Sequence, residues 1–153
     1  MSEIVVADSS CLIALARSGQ LDVLRVLFSQ IIIPAAVYDE VVIQGAGRPG
    51  SDEVAQAEWI STRQVQDHLA GQALRLTLGR GESEAMVLAA ETAARFLILD
   101  DWRARQSAIG MGLPVVGTLS ILQRATEKGL IADLESSLER LRQAGFHFER
   151  RKA

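Results

Sequence analysis

Short apolar runs alternate with amphipathic segments along the chain, and this pattern predicts an alternation of strands and helices. Three runs, at 4–7, 30–33 and 96–99, are dominated by aliphatic and β-branched residues. Such continuous runs are typical of strands that are buried on both faces of a parallel sheet. Two further strands are predicted at 59–65 and 113–116.

Helical periodicity fills the intervals between these strands. We predict helices at 12–16, 21–28, 34–43, 51–57, 66–79, 82–94, 102–109, 118–128 and 133–143. A break is expected at Gly71, and Thr118 and Asp133 are expected to cap the last two helices. The tail at 146–152 is expected to add an edge strand or to stay loose. Together these elements predict an α/β fold, a three-layer α/β/α sandwich with a central, mainly parallel sheet, formed by residues 1–153 as one domain.

Composition narrows the class of protein. The 153 residues are 48% hydrophobic and 23% charged, which are the proportions of a folded globular domain. The single cysteine, Cys11, excludes an intramolecular disulfide and suits a reducing compartment. No leader opens the chain and no apolar run approaches about 20 residues, so we expect a cytoplasmic protein with no membrane segment. The net charge of −3 provides no overall attraction to nucleic acid, although nearly all of the positive charge is arginine, which binds phosphate well.

Acidic residues recur at the points where the predicted strands end. They are Asp8 after the first strand, Glu40 on the helix after the second, Glu82 and Glu84 in the first turn of a later helix, and Asp100 and Asp101 after the third. The carboxyl ends of parallel strands share one edge of the sheet, and ligands bind beyond that edge. We therefore expect these carboxylates to converge.

Carboxylates in this number suit Mg²⁺ or Mn²⁺, which prefer oxygen ligands. Zinc is not indicated, because Cys11, His68 and His147 show no ligand spacing. Clustered carboxylates repel one another, so a site that holds several needs a cation at neutral pH. Each residue also has a purely structural explanation: acids in a first helical turn favour the helix dipole, and an aspartate after a strand often caps the next helix.

Six segments in this order resemble the PIN-domain family, the nuclease fold of VapC-type toxins. They are Val-Val-Ala-Asp-Ser-Ser at 5–10, Pro-Ala-Ala-Val-Tyr-Asp-Glu-Val at 34–41, Gly-Arg-Pro-Gly at 47–50, Gly-Arg-Gly-Glu-Ser-Glu-Ala at 79–85, Leu-Asp-Asp-Trp-Arg-Ala-Arg at 99–105 and Gly-Leu-Pro-Val-Val-Gly-Thr at 112–118. The resemblance runs from Ile4 to about Leu141. It implies a metal-dependent ribonuclease whose acidic quartet binds Mg²⁺ or Mn²⁺.

Carried over by position, the resemblance makes Asp8, Glu40 and Glu84 three of the four acidic residues, with either Asp100 or Asp101 as the fourth. Residues two apart on a helix point about 200° away from each other, so Glu82 and Glu84 cannot both face one site from regular helix. We favour Glu84 and Asp101 as the catalytic residues of these pairs. Glu82 and Asp100 remain alternative metal ligands.

Several other residues are candidates for contact with an RNA substrate. Ser9 matches a family position whose hydroxyl supports the metal or its water, although a role in a local turn is the more ordinary explanation. Arg103 and Arg105 follow Asp101 and could touch phosphate, or could pair with a neighbouring carboxylate. Arg48 lies in the Gly- and Pro-rich segment 45–50, which we expect to be a mobile loop. Its side chain could guide substrate, and the ordinary alternative is a solvated loop arginine. The resemblance also implies a small antitoxin partner and a homodimer.

Two other classes compete with a ribonuclease. One is a catalytically inactive PIN-like module that binds nucleic acid or protein, which is suggested by the glutamate at the third acidic position, where relatives often carry aspartate. The other is a phosphatase or receiver domain with a phosphorylated aspartate after the first strand. That class is disfavoured because Ser10 stands where a second aspartate is expected, and no lysine follows the strand that ends at Val116.

Overall fold

Five parallel strands form the centre of the molecule in the computed structural model, which describes residues 3–148. Their order across the sheet is β3-β2-β1-β4-β5. The strands are β1 (Val5–Ala7), β2 (Ile31–Pro34), β3 (Ile60–Arg63), β4 (Phe96–Ile98) and β5 (Val115–Val116). All the pairings are parallel, with Val6 opposite both Ile32 and Leu97, so every strand ends at the same edge of the sheet.

The helices are α1 (Ser9–Arg17), α2 (Asp22–Phe28), α3 (Ala35–Tyr38), α4 (Ser51–Gln56), α5 (His68–Leu74), α6 (Arg80–Glu91), α7 (Trp102–Gly110), α8 (Thr118–Glu127) and α9 (Leu134–Gln143). They form two layers around the sheet. Side chains of α1, α2, α8 and α9 form one buried cluster, and side chains of α6 and α7 form another. Adjacent residues of one strand divide between the clusters: Val5 and Ala7 belong to the first and Val6 to the second. This two-sided burial explains why β1, β2 and β4 carry no polar residues, whereas the edge strand β3 is more exposed and carries Ser61, Thr62 and Arg63.

The predicted fold class is therefore confirmed, and the differences from the predicted elements are local. Helix α5 runs through Gly71 without a break. Gly117, and not Thr118, is the N-cap of α8, whereas Asp133 caps α9 as expected, accepting a hydrogen bond from the Glu135 N–H at 3.2 Å. No strand forms at 146–148, and the remainder of the predicted tail lies outside the described residues.

The helix predicted after β2 is divided. After one turn of α3, residues Asp39–Ile43 widen into a π-helical turn, in which Gln44 N–H bonds to Asp39 O at 2.7 Å. Gly45 follows because a Cβ there would lie 2.4 Å from Val41 O. Single π-helical turns of this kind are frequent at functional sites, and this one carries Glu40. Within residues 3–148, no helix combines the length and the apolar composition needed to cross a bilayer.

Candidate functional site

An open cleft of about 530 Å³ lies at the carboxyl edge of the sheet, and we call it the acidic cleft. The residues that line it are Asp8, Ser9, Ser10, Glu40, Gly79, Gly81, Glu82, Asp100, Asp101, His147 and Phe148. Five of these eleven residues carry carboxylates, and they come from four separate parts of the chain. The structure thus brings together five of the six acidic residues that the sequence singles out.

Asp8 lies at the floor of the cleft, directly after β1. Its N–H bonds to Ile98 O at 3.0 Å, which extends the β1–β4 pairing by one residue and fixes the backbone. The side chain is only 4% exposed, and its Oδ1 atom is buried without a hydrogen-bond partner. Burial raises the pKa of this carboxyl from 3.8 to about 7, against a hydrogen bond from the Ser9 backbone; the charges of Glu82, Glu40 and Asp100 raise it further.

Glu40 is held from two sides. The Ser9 hydroxyl donates a hydrogen bond to Glu40 Oε2 at 2.7 Å, and the Gly81 N–H donates one to Oε1 at 3.0 Å. A Cβ at Gly81 would lie 2.5 Å from Glu40 Oε1, so only glycine permits this close approach of α6. Ser9 therefore links two parts of the site. Its predicted contact with a metal or its water stays a prediction.

Glu82 and Glu84 lie on different sides of α6, as their spacing requires, but Glu82 is the one that faces the cleft. Helix α6 begins at Arg80, two residues earlier than predicted, so Glu82 is its third residue and accepts a hydrogen bond from the Gly79 N–H at 3.1 Å. Burial, and then the charges of Asp101 and Glu40, raise the pKa of Glu82 against that hydrogen bond.

Glu84 is turned away from the cleft, which corrects our preference for it. Its Oε1 accepts a hydrogen bond from the Ala36 N–H at 3.1 Å, at the start of α3, and its Oε2 lies 3.4 Å from Arg80 Nε. It also borders a small cavity of about 90 Å³ beside α5. These contacts give Glu84 a structural role between α3 and α6.

Asp100 and Asp101 both border the cleft, because the chain leaves the regular strand geometry after β4. Thr118 donates two hydrogen bonds to Asp100, from N–H to Oδ1 at 2.8 Å and from Oγ1 to Oδ2 at 2.6 Å. Burial raises the pKa of Asp100, and the hydrogen bonds from Thr118 and the charge of Arg105 oppose that rise. Asp101 is exposed and caps α7, with Oδ2 accepting a hydrogen bond from the Ala104 N–H at 2.9 Å.

The arginines predicted to contact substrate take different positions. Arg105 folds back and donates a hydrogen bond to Leu99 O at 3.0 Å. Arg103 is exposed on α7 and does not line the cleft. Arg48 lies in a second open groove of about 530 Å³, lined by Arg17, Arg48, Pro49 and Ala144, which we call the basic groove. The roles of these arginines in RNA binding remain predictions.

His147 and Phe148 line the cleft, although no functional role was expected for them from the sequence. A signal was present in the alternation Phe146-His147-Phe148, which predicts two aromatic side chains on one face of an extended segment and the histidine on the other. Both phenylalanines do pack against the buried cluster of the α1 layer. What the pattern could not show is that this segment passes beside the carboxyl edge of the sheet.

The chemistry of the cleft fits a hard divalent cation. The donors are carboxylate oxygens, Asp8 Oδ1 is buried without a partner, and the pKa values of three carboxyls are raised, a cost that a bound cation relieves. As the side chains stand, residues 3–148 contain no group of three or more acidic, histidine or cysteine side chains converging on one point. Glu40 and Asp100 each have both oxygens in hydrogen bonds with the protein.

Comparison with known proteins shows which other proteins share this fold. A solved structure, a PilT N-terminus domain protein, SSO1118, from the hyperthermophilic archaeon Sulfolobus solfataricus P2, has the same fold: the TM-score is 0.53 at 16% identity, over 97% of this chain and 99% of that one. No curated protein matches the sequence significantly. A family model described as a PIN domain matches residues 4–152, and PIN domains are generally nucleases that use divalent metal ions. Because this match covers nearly the whole sequence, the chain belongs to the PIN-domain family.

Proposed function

We propose that this protein is a Mg²⁺- or Mn²⁺-dependent endoribonuclease whose acidic cleft hydrolyses RNA phosphodiesters. One observation carries the proposal: five carboxylates from four parts of the chain line a single open cleft, with a buried, unpartnered oxygen of Asp8 at its floor. The residues that would hold the metal are Asp8, Glu40, Glu82, Asp100 and Asp101. Glu82 replaces Glu84 in this set because of its position.

When bound, the divalent ion activates a water molecule and neutralises charge on the reacting phosphate. The chain's own contribution is to fix the carboxylates before substrate arrives. Ser9 and Gly81 orient Glu40, Thr118 orients Asp100, and backbone N–H groups hold one oxygen each of Glu82 and Asp101. Each of these donors leaves lone pairs on the carboxylate oxygens, so the hydrogen bonds set direction without using up the acceptors.

The basic groove supports a polyanionic substrate. No carboxylate is among the four residues that line it, and within residues 3–148 the side chain of Arg48 has no hydrogen bond or ion pair. Residues 144–148 connect the groove to the cleft: Ala144 lines the first, and His147 and Phe148 line the second. An RNA strand whose scissile phosphate lies in the cleft, and which continues along residues 144–148, would bring a more distant phosphate to Arg48.

The test is cleavage of labelled RNA by purified protein with Mn²⁺, beside the same reaction in EDTA. Because Asp8 and Glu82 line the cleft, we expect Asp8→Asn and Glu82→Gln to lose roughly 100-fold or more in rate, the scale on which single electrostatic groups act. Glu84→Gln is the matched control on the opposite side of α6, and we expect it to keep activity at temperatures where it is folded. Cleavage that persists in EDTA, or equal activity in Asp8→Asn, would contradict the proposal.

A catalytically inactive binding module is the second candidate. It is favoured by the hydrogen bonds that already occupy both oxygens of Glu40 and of Asp100. Calorimetric titration with Mn²⁺ separates the two functions. Tight binding that is lost in Asp8→Asn supports the nuclease, whereas absence of binding together with absence of cleavage supports the module.

We further propose that the protein acts in the cytoplasm as the toxin of a toxin–antitoxin pair, and as a homodimer. The toxin role and the homodimer rest on the family resemblance alone, and the location rests on the composition of the sequence. Induced expression in a bacterial host is expected to stop growth in wild type and not in Asp8→Asn. Normal growth at equal protein levels would remove the toxin assignment and leave the cleavage chemistry untouched, and light scattering reports the oligomeric state separately.

A further inference from the structure

Apart from two serine hydroxyls, His147 carries the only side-chain hydrogen-bond donor among the described residues that line the acidic cleft. The Ser9 hydroxyl is already donated to Glu40. A phosphodiester that enters a cleft of five carboxylates meets acceptors on nearly every side, and its oxygens are acceptors too. We propose that His147 contacts the substrate, donating a hydrogen bond from its imidazole to a phosphate oxygen. This inference rests on the proposed nuclease function.

The position of His147 is built into the fold. After α9 the chain turns at Gly145, whose φ of 95° is open to glycine at little cost. The Phe146 N–H then bonds to Leu141 O at 2.9 Å, and the Arg17 guanidinium lies 5.8 Å from the centre of the Phe146 ring. Phe148 packs against the same buried cluster as Phe146. The histidine is therefore fixed between two packed aromatic residues while its own side chain is exposed.

A hydrogen bond of this kind needs no particular protonation state. Neutral imidazole has one N–H and imidazolium has two, so a donor is present throughout the working pH range. The proposed hydrogen bond is already present when the bound phosphate lies near the carboxylates, before any bond breaks. Its loss should therefore weaken substrate binding more than it slows the bond-breaking step. A purely structural role for His147 would instead alter stability and leave KM unchanged.

The chain supplies a matched control, because its other histidine, His68, is exposed on α5 and does not line the cleft. We would measure kcat and KM on a short RNA with Mn²⁺ for His147→Ala, His147→Gln and His68→Ala, with urea unfolding of each variant. We expect His147→Ala to raise KM about 5- to 30-fold, which at about 1.4 kcal/mol per tenfold corresponds to the loss of about 1–2 kcal/mol of hydrogen-bond energy. His147→Gln, which keeps an N–H donor, should recover much of that loss, and His68→Ala should match wild type.

A second measurement separates this inference from the nuclease proposal. Fluorescence anisotropy of the same RNA with Ca²⁺ in place of Mn²⁺ reports binding whether or not the wild type cleaves. Weaker binding by His147→Ala than by His68→Ala supports the contact even if no cleavage is found. Equal binding and equal KM in the two variants would overturn it, and so would a fall in unfolding free energy with KM unchanged.

Discussion

Asp8 occupies a buried position that lowers the stability of the folded protein. Its carboxyl is buried after β1, one oxygen has no partner, and three neighbouring carboxylates raise its pKa further. A structural cap accepts a hydrogen bond from the second or third residue of the helix that follows, whereas Asp8 makes no such cap bond and accepts its backbone hydrogen bond from Ser9, the first residue of α1. Uncompensated burial of this type clusters at functional sites, where a ligand supplies what the protein omits.

This arrangement predicts a pH dependence of stability in metal-free protein. The pKa of Asp8 is about 7 in the folded state and near 3.8 when unfolded, so the folded chain binds the proton more tightly. The stabilisation is fully present below about pH 4 and is lost as the pH rises through 7. At 1.36 kcal/mol per pKa unit, the loss is on the order of 4 kcal/mol at most.

Urea unfolding in EDTA between pH 4 and 8.5 measures this effect. Because Asp8→Asn cannot ionise, its unfolding free energy should decline less over that interval than that of wild type, and at pH 8 it should be the more stable protein. Asp52→Asn, at an exposed acid in the first turn of α4, is the control and should follow wild type. Parallel curves for wild type and Asp8→Asn would contradict the burial argument.

At the level of elements, the site depends on how closely α6 approaches the π-helical turn that carries Glu40. The contact is made through the backbone of Gly81, and no side chain intervenes. Replacing Gly81 with alanine would bring Cβ to 2.5 Å from Glu40 Oε1, so the carboxylate must move and lose its hydrogen bond. The effect should fall on the cleft more than on the fold, because Glu40 can turn outward.

We therefore expect Gly81→Ala to lower the rate of RNA cleavage about 10-fold or more, in proportion to what misplacing a catalytic group costs, with Mn²⁺ binding weakened in calorimetry. Gly71→Ala is the matched substitution, since a Cβ there meets nothing within 4 Å. It should keep full activity and gain about 0.5–1 kcal/mol, because alanine favours the interior of a helix. Unchanged activity in Gly81→Ala would show that Glu40 does not need its present position.

The strands and helices themselves could be predicted from the sequence because burial dictates their pattern of apolar residues. Strands β1, β2 and β4 face apolar layers on both sides, so their composition reveals them. The sequence did not show which of Glu82 and Glu84 faces the cleft. The answer depends on whether α6 begins at residue 80 or at residue 82, because the start of the helix decides which residue follows the helix cap. The spacing Gly79-Arg-Gly-Glu82 was the one local clue, because a glutamate at the third helical position can reach back to the N-cap N–H.

Thr118 failed as a cap for a related reason. A threonine before an apolar helical run usually bonds to its own helix, but here its N–H and hydroxyl both donate hydrogen bonds to Asp100, which follows β4. A partner that is 18 residues away in the sequence and adjacent only in the folded sheet cannot be found from local propensity. The same limit applies to His147, which lines the cleft beside residues that follow β1 and β4 or lie on α6.

At the scale of the whole molecule, charge is separated between two surfaces joined by residues 144–148. The acidic cleft gathers five carboxylates, whereas the basic groove displays Arg17 and Arg48. Arg17 already makes contacts within the protein, since its Nε–H bonds to Pro49 O at 3.1 Å and its guanidinium lies over Phe146. Arg48 is exposed. The surface therefore offers a polyanion a local basic binding region although the net charge of the protein is −3.

This separation predicts how RNA affinity responds to salt. Each phosphate contact to a single strand contributes about 0.7 to the slope of log K against log salt concentration. We expect Arg48→Gln to weaken binding of an oligonucleotide and to reduce that slope by the contribution of about one such contact. Binding of a dinucleotide, which is too short to reach the groove from the cleft, should stay unchanged.

Arg95→Gln is the control, because Arg95 pairs with Glu3 beside the start of β4, at the opposite edge of the sheet. Anisotropy titrations at a fixed Ca²⁺ concentration and several KCl concentrations measure both quantities. If Arg48→Gln and Arg95→Gln change the slope equally, the groove has no special part in RNA binding, and the attraction is a property of the surface as a whole.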